Sequence, residues 1–218
     1  MTALTFTVLD ARPQPYAVAP TLTFRVGISE ATGAQVHMIA LRCQIQIEAR
    51  RRHYTPGEKR RLVDLYGTPD RWGETLRTMV WTHVARMVPG FTGRIEIDLP
   101  VTCTYDFDVA AAKYLLSLED GEVPLLLQFS GTIFTARDGG FSVEQLAWTT
   151  EAPYRLPVRE LRALMNLYFP GTGWIRLRRD TVDALRDFKE REMLPTWDDV
   201  VSALLESASR AHEPTELV

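Results

Sequence analysis

An α+β fold on an antiparallel β core is the class this sequence predicts, and three observations predict it. Apolar and polar residues alternate with a period of two through 22–28, 39–47 and 95–101, the pattern of strands with one buried face. Short turn signals, Ala31-Thr32-Gly33 and Asp138-Gly139-Gly140, fall beside such runs, which suits hairpins. Helical periodicity gathers after the strands, in the last third of the chain, instead of alternating with them. The expected arrangement is an antiparallel β-sandwich or curved sheet, with a helical insertion and C-terminal helices covering a face or an edge.

Leu4-Thr5-Phe6-Thr7-Val8 opens the chain as an alternating strand. Pro13, Pro15 and Pro20 then rule out a central strand or a helix interior over 12–20. Leu22, Phe24, Val26 and Ile28 share one face. Ile39, Leu41, Cys43, Ile45 and Ile47 share another after a short turn, so 22–47 reads as an antiparallel hairpin. Thr55-Pro56-Gly57-Glu58 is a capping box with proline at the first helical position. Leu62, Val63 and Tyr66 follow at helical spacing, and Gly67 supplies a stop. Thr68-Pro69-Asp70 repeats the start signal. Trp72, Leu76, Met79, Val80, His83 and Val84 fit one helical stripe, or a strand given the β-branched residues near 80–84. Either way, 55–89 reads as an insertion between strands.

Ile95, Ile97, Leu99 and Val101 return to the strand pattern, and Asp108 is placed to cap a short helix through three alanines, ended by Gly121. The most apolar strand is 123–134, where Gly131 signals a bulge or a close backbone approach. Its hairpin partner is 141–148. Leu161, Leu164, Met165 and Tyr168 then share a helical face that ends at Pro170-Gly171. Asp180 can cap a helix containing Val182, Leu185 and Phe188. Thr196 with Asp199 caps another, with Trp197, Val200, Val201, Leu204 and Leu205 on its apolar face. The domain reading is a β core over 1–155, a helical segment packed on it over 156–208, and a flexible polar tail over 209–218.

Composition narrows the function classes. The chain has 218 residues, 45% hydrophobic and 24% charged, which is ordinary for a globular protein large enough to fold without disulfides. Cys43 and Cys103 sit in apolar stretches with no second ligand at metal spacing. The amino terminus lacks a basic region followed by an apolar one, and the longest apolar run, 123–127, is far too short for a membrane span. A cytoplasmic protein without membrane insertion is expected. The net charge of −3 gives no general attraction to nucleic acid, and the basic clusters Arg50-Arg51-Arg52, Lys59-Arg60-Arg61 and 176–179 have acidic neighbours.

The stretch richest in chemistry is Cys103-Thr104-Tyr105-Asp106-Phe107-Asp108, with His83 the histidine in the most apolar setting. Cys103, Tyr105, Asp106 and His83 are the candidates if the chain is a hydrolase or transferase. No nucleophile signature surrounds them, and Asp106 and Asp108 suit a strand end and a helix cap, so no catalytic residue is assigned. His37, His53, His83 and His212 are scattered, and Pro170-Gly171-Thr172-Gly173 fails the nucleotide-loop pattern. No metal or cofactor is expected. Trp72 beside Arg71, and Trp174 near Arg176, are the candidate contact residues, because amphipathic aromatics are enriched where proteins meet; packing in the core is the alternative for each tryptophan.

Pro20-Thr21-Leu22-Thr23-Phe24, Ile39-Ala40-Leu41-Arg42-Cys43-Gln44-Ile45, Val88-Pro89-Gly90-Phe91-Thr92-Gly93, Cys103-Thr104-Tyr105-Asp106, Phe129-Ser130-Gly131-Thr132 and Leu194-Pro195-Thr196-Trp197 together resemble an uncharacterised actinobacterial family, one of the numbered domains of unknown function. The resemblance spans nearly the whole chain and brings no catalytic residues. It implies an accessory or assembly role beside uptake [NiFe]-hydrogenases, with a hydrogenase subunit or maturation factor as partner. There is no Cys-x-x-Cys pair to hold nickel, iron or a cluster, so a protein partner is expected over a metal. The leading expectation is a non-enzymatic interaction protein. The alternatives are the enzyme above and a chaperone-like binder of apolar segments. Oligomeric state stays open.

Overall fold

The computed structural model describes residues 3–103, 109–137, 140–172, 175 and 177–212. Two compact units follow one another along the chain, 1–172 and 173–218.

Among its described residues the first unit holds eight strands in two antiparallel sheets: β1 (Leu4–Pro13), β2 (Thr21–Glu30), β3 (Val36–Ile47), β4 (Met79–Val88), β5 (Arg94–Thr102), β6 (Glu122–Arg137), β7 (Gly140–Gln145) and β8 (Glu151–Pro157). One sheet has the order β1-β2-β5. The other has the order β4-β3-β6, with β7 and β8 lying one after the other along the far side of β6. Their inner faces meet as a sandwich, not a closed barrel. Phe6 stacks on Phe129 across the interior with ring centroids 4.3 Å apart, and Phe24 meets Trp81 and Tyr154 edge-on. The core is continuous from Leu22, Phe24, Val26 and Ile28 through Ile39, Leu41, Cys43, Ile45 and Ile47 to Leu125, Leu127 and Phe129.

The two runs read as one hairpin over 22–47 belong to different sheets. β2 is flanked by β1 and β5, and β3 by β4 and β6. Alternation fixes which residues face the core, but it says nothing about which strand lies alongside. The link between the sheets is built on Glu30, a buried carboxylate that accepts hydrogen bonds from the Thr32 amide (3.0 Å), the Thr32 hydroxyl (2.6 Å) and the Ala34 amide (2.9 Å). That network turns the chain across the sandwich rather than back along β2.

The pattern at 79–88, open between helix and strand, is strand β4. It belongs to the core sheet, so the helical insertion ends before Met79. A register shift between Ile45 and Gln46 leaves Trp81 as an extra residue on β4, and its ring is buried against Phe24. The later hairpin, β6 with β7, is present, though Asp138 and Gly139 of its turn lie outside the described residues. β8 had no counterpart in the sequence reading. Pro153 and Pro157 hide its alternation, and they are tolerated because β8 is an edge strand.

Six α-helices are formed among the described residues. In the insertion, α1 (Pro56–Tyr66) begins with the expected capping box: the Glu58 amide donates to Thr55 Oγ1 (3.1 Å) and the Thr55 amide to Glu58 Oε2 (2.9 Å). α2 is Trp72–Thr75 and α3 is Val109–Leu116; Asp108, the cap expected for α3, lies outside the described residues. α4 (Val158–Tyr168) buries Leu161 and Leu164 and packs against β1.

In the second unit, α5 (Arg179–Arg191) is preceded by Arg178 at the N-cap, so Asp180 lies in its first turn, where the helix dipole favours it, and does not cap the helix. α5 ends in a Schellman motif. Met193 takes a left-handed φ of 52°, with its amide donating to Glu190 O and the Leu194 amide to Lys189 O. α6 (Trp197–His212) starts with the expected Thr196–Asp199 exchange of hydrogen bonds and continues four residues into the segment read as tail, 209–212. No helix among the described residues is long and apolar enough to cross a membrane.

Candidate functional site

The pleat of the larger sheet sends alternate residues outward, and the register sorts them into rows. Arg42 lies between Ala85 and Ser130, and Gln44 between His83 and Gln128. The Gln46 side chain donates to Gln128 Oε1 at 2.8 Å. This half of the outer face is polar. One step along, Ala40 lies between Met87 and Thr132; then Met38, Phe134 and Val143 form a row across β3, β6 and β7, and Phe141 pairs with Ala136 beyond them. The His37 ring sits 4.6 Å from the Phe141 ring. Met87 is 55% exposed, Phe141 61% and Val143 59%. Single exposed apolar side chains are ordinary, whereas contiguous rows of them mark contact surfaces.

A second exposed aromatic stands at the edge of the same sheet. The loop between β7 and β8 is pinned at both ends, where the Leu146 amide donates to Gly131 O (2.9 Å) and the Phe129 amide to Thr150 O (2.8 Å). Trp148 projects from this loop and is 90% exposed.

A buried cluster of ionisable groups lies beside α1. Arg52 Nη2 meets Glu58 Oε1 at 2.6 Å, and Arg52 also donates to the carbonyls of Asp120 and Glu122. Burial opposes ionisation of Glu58, but hydrogen bonds from the Glu119 and Thr55 amides and from Arg52 outweigh it and hold the carboxyl below its usual range. Beside them the Tyr54 hydroxyl donates to Ala49 O (2.6 Å) and lies 2.9 Å from the Tyr114 hydroxyl. Burial pushes Tyr54 up to about 12 and raises Tyr114 and Tyr66 further. Tyr114 is fully enclosed. The cluster joins α1 to α3 and to the start of β6.

The residues singled out from the sequence are dispersed. Trp72 is buried: its indole donates to Gly67 O at 2.9 Å and its ring packs edge-on to Tyr54 and Tyr66. Arg71 beside it is exposed. Trp174 and Arg176 lie outside the described residues, as do Tyr105 and Asp106. Cys103 follows β5 and packs against the core, its thiol donating to Val101 O; burial pushes it up to about 12, far from a thiolate at neutral pH. His83 is exposed on the outer face of the other sheet, beside Gln44. Among the described residues no group of three His, Cys, Asp or Glu side chains converges on a point that would hold a metal ion.

Sequence reasoning missed Met87, Phe141, Val143 and Trp148 as exposed residues, and half-buried Phe134 as their neighbour on the outer face. A period of two assigns residues to two faces without saying which face is covered. The available signal was a conflict. β6 is apolar on both faces at 123–127, and β7 places its two large apolar residues on the face that its neighbour Ser130 marks as outward.

The chain belongs to a family of unknown function (DUF6084), matched over residues 1–213. No curated protein matches it. Among solved structures it is similar to a protein described as late embryogenesis abundant (LEA), with 13% identity over 71% of this chain and 72% of that one, at a TM-score of 0.33. It is also similar to the ApaA protein from Bordetella pertussis, with 11% identity, 71% and 93% coverage and a TM-score of 0.28. A β-glucosidase from Kluyveromyces marxianus matches with 12% identity over 71% of this chain and 15% of the enzyme, at a TM-score of 0.23. Likeness this distant carries no conclusion about function.

Proposed function

We propose that this chain is a non-enzymatic interaction protein of the cytoplasm that offers the apolar half of its larger sheet's outer face to a protein partner. The observation that carries the reading is the continuous row Met38–Phe134–Val143, flanked by Met87 and Phe141 and bordered by the polar half around Arg42, Gln44 and Gln128. An apolar patch with a polar border is the anatomy of a protein interface. The family resemblance supplies the partner class, a subunit or maturation factor of a [NiFe]-hydrogenase.

Affinity-tagged chain recovered from its native host, grown so that hydrogenase is made, tests this reading. A stoichiometric hydrogenase component should accompany the wild type and the control Gln44→Glu, and should be lost with Met87→Glu, which places a charge on the apolar half at an exposed position. Recovery of the wild type alone, or a partner that Met87→Glu retains, overturns it.

A further inference from the structure

β7 differs from every other edge strand of the sandwich. β1 has a bulge at Leu9 and ends on Pro13, and β4 has its register shift beside Trp81. β5 carries Pro100 with Arg94, Glu96 and Asp98, and β8 carries Pro153 and Pro157. Bulges, prolines and charges are the devices by which sheet edges resist pairing with another chain. β7, Gly140 to Gln145, has no proline and no bulge, carries Glu144 as its one charge, and keeps an unbroken register against β6.

The ladder shows which backbone groups of β7 face outward. The Leu146 amide donates to Gly131 O, so in the alternation of an antiparallel pair Glu144–Ile133 and Ser142–Thr135 are the hydrogen-bonded pairs. The amides and carbonyls of Phe141 and Val143 therefore point away from β6, and their side chains are the exposed members of the apolar row.

We propose that β7 pairs antiparallel with β7 of a second copy, about a two-fold axis at Ser142, joining the two larger sheets edge to edge. In this register Phe141 lies opposite Val143 of the second copy, and Val143 opposite its Phe141, two aromatic–β-branched pairs of the kind that stabilise sheets. Glu144 falls opposite Gly140 of the second copy, so no like charges meet. A foreign strand would have to supply this complementarity, whereas a second copy already carries it. A five-residue ladder is about 17 Å long and with these pairs covers less than the roughly 1,200 Å2 of a stable complex. The dimer is therefore weak and reversible. The inference rests on the preceding reading only in taking the Phe134–Val143 row as a contact surface.

Sedimentation velocity on the full chain, from low micromolar to near-millimolar concentration, tests it with two substitutions at one exposed position. Val143→Pro removes an outward amide and leaves the β6 ladder intact; Val143→Lys adds an edge-guarding charge with no change to the backbone. Wild type and Met87→Glu should pass from monomer to dimer, and both Val143 variants should associate at least about tenfold more weakly while keeping the wild-type circular dichroism. A wild type that stays monomeric throughout, or a dimer that Val143→Lys retains, overturns the inference. A monomeric wild type that still holds a partner lost by Met87→Glu sinks the dimer and leaves the proposed function standing; a dimer with no recoverable partner does the reverse.

Discussion

Gly131 shows what a single position decides. Its φ is 147°, and a Cβ there would fall onto the Ala40 carbonyl oxygen of β3, a backbone atom that cannot swing aside. Gly131→Ala should cost about 3 kcal/mol or more through backbone strain and forced separation of β3 from β6, read as a lower urea midpoint. Gly73→Ala, in a helix with nothing near the added methyl, should be neutral or slightly stabilising. Equal effects at the two positions would contradict the close-approach reading. The sequence marked Gly131 as special, yet the atom it avoids is more than ninety positions away in the chain, beyond anything local pattern can name. Trp72 is the complementary case: a tryptophan beside an arginine looks like a contact anchor, and its burial by Tyr54 and Tyr66 depends on how α1 folds back.

At the scale of elements, α1 joins a legible cap to an interaction that was not legible. Thr55 and Glu58 announce the helix start because a capping box is local. The second role of Glu58, as buried partner of Arg52 and acceptor of the Glu119 amide, depends on segments brought in from elsewhere. The Glu58 carboxyl lies below its ordinary range in the folded chain, so the unfolded chain binds that proton more tightly. The stabilisation is complete above the unfolded value, about 4.3 for glutamate, and is lost as pH falls through the folded one. Glu58→Gln should cost about 3–5 kcal/mol at neutral pH, because Arg52 would keep a buried charge without its counterion. It should also flatten the acid limb of the urea midpoint against pH. An acid limb as steep in the variant as in the wild type would contradict the role given to Glu58. Strand existence was legible for the same local reason as the cap, at 22–28, 39–47 and 95–101. Strand pairing was not: β2 and β3 are equally alternating whether they join each other or sit in separate sheets.

At the scale of the whole molecule, the proposed contact surface lies where two local patterns disagree about the outside. Across β3 and β6 the outward residues change from Arg42, Gln44, Gln128 and Ser130 to Met38, Ala40 and Phe134 within one strand length. The sandwich satisfies its core without that second group, which lies half-buried on the outer face beside exposed Met87, Phe141 and Val143 at the β7 edge. Candidate residues chosen by type alone, Cys103 and His83 among them, fall on opposite sides of the larger sheet, the thiol packed against the core and the imidazole outside. Hydroxyl-radical footprinting of the chain, free and bound to the partner with which it purifies, tests the contact surface most directly, since methionine and aromatic side chains report their own exposure. Met87 and Phe141 should lose reactivity in the complex while Met193 on the second unit keeps it. Unchanged oxidation of Met87 and Phe141, with protection at Met193 or Trp197 instead, would contradict the assignment of the contact surface to the larger sheet.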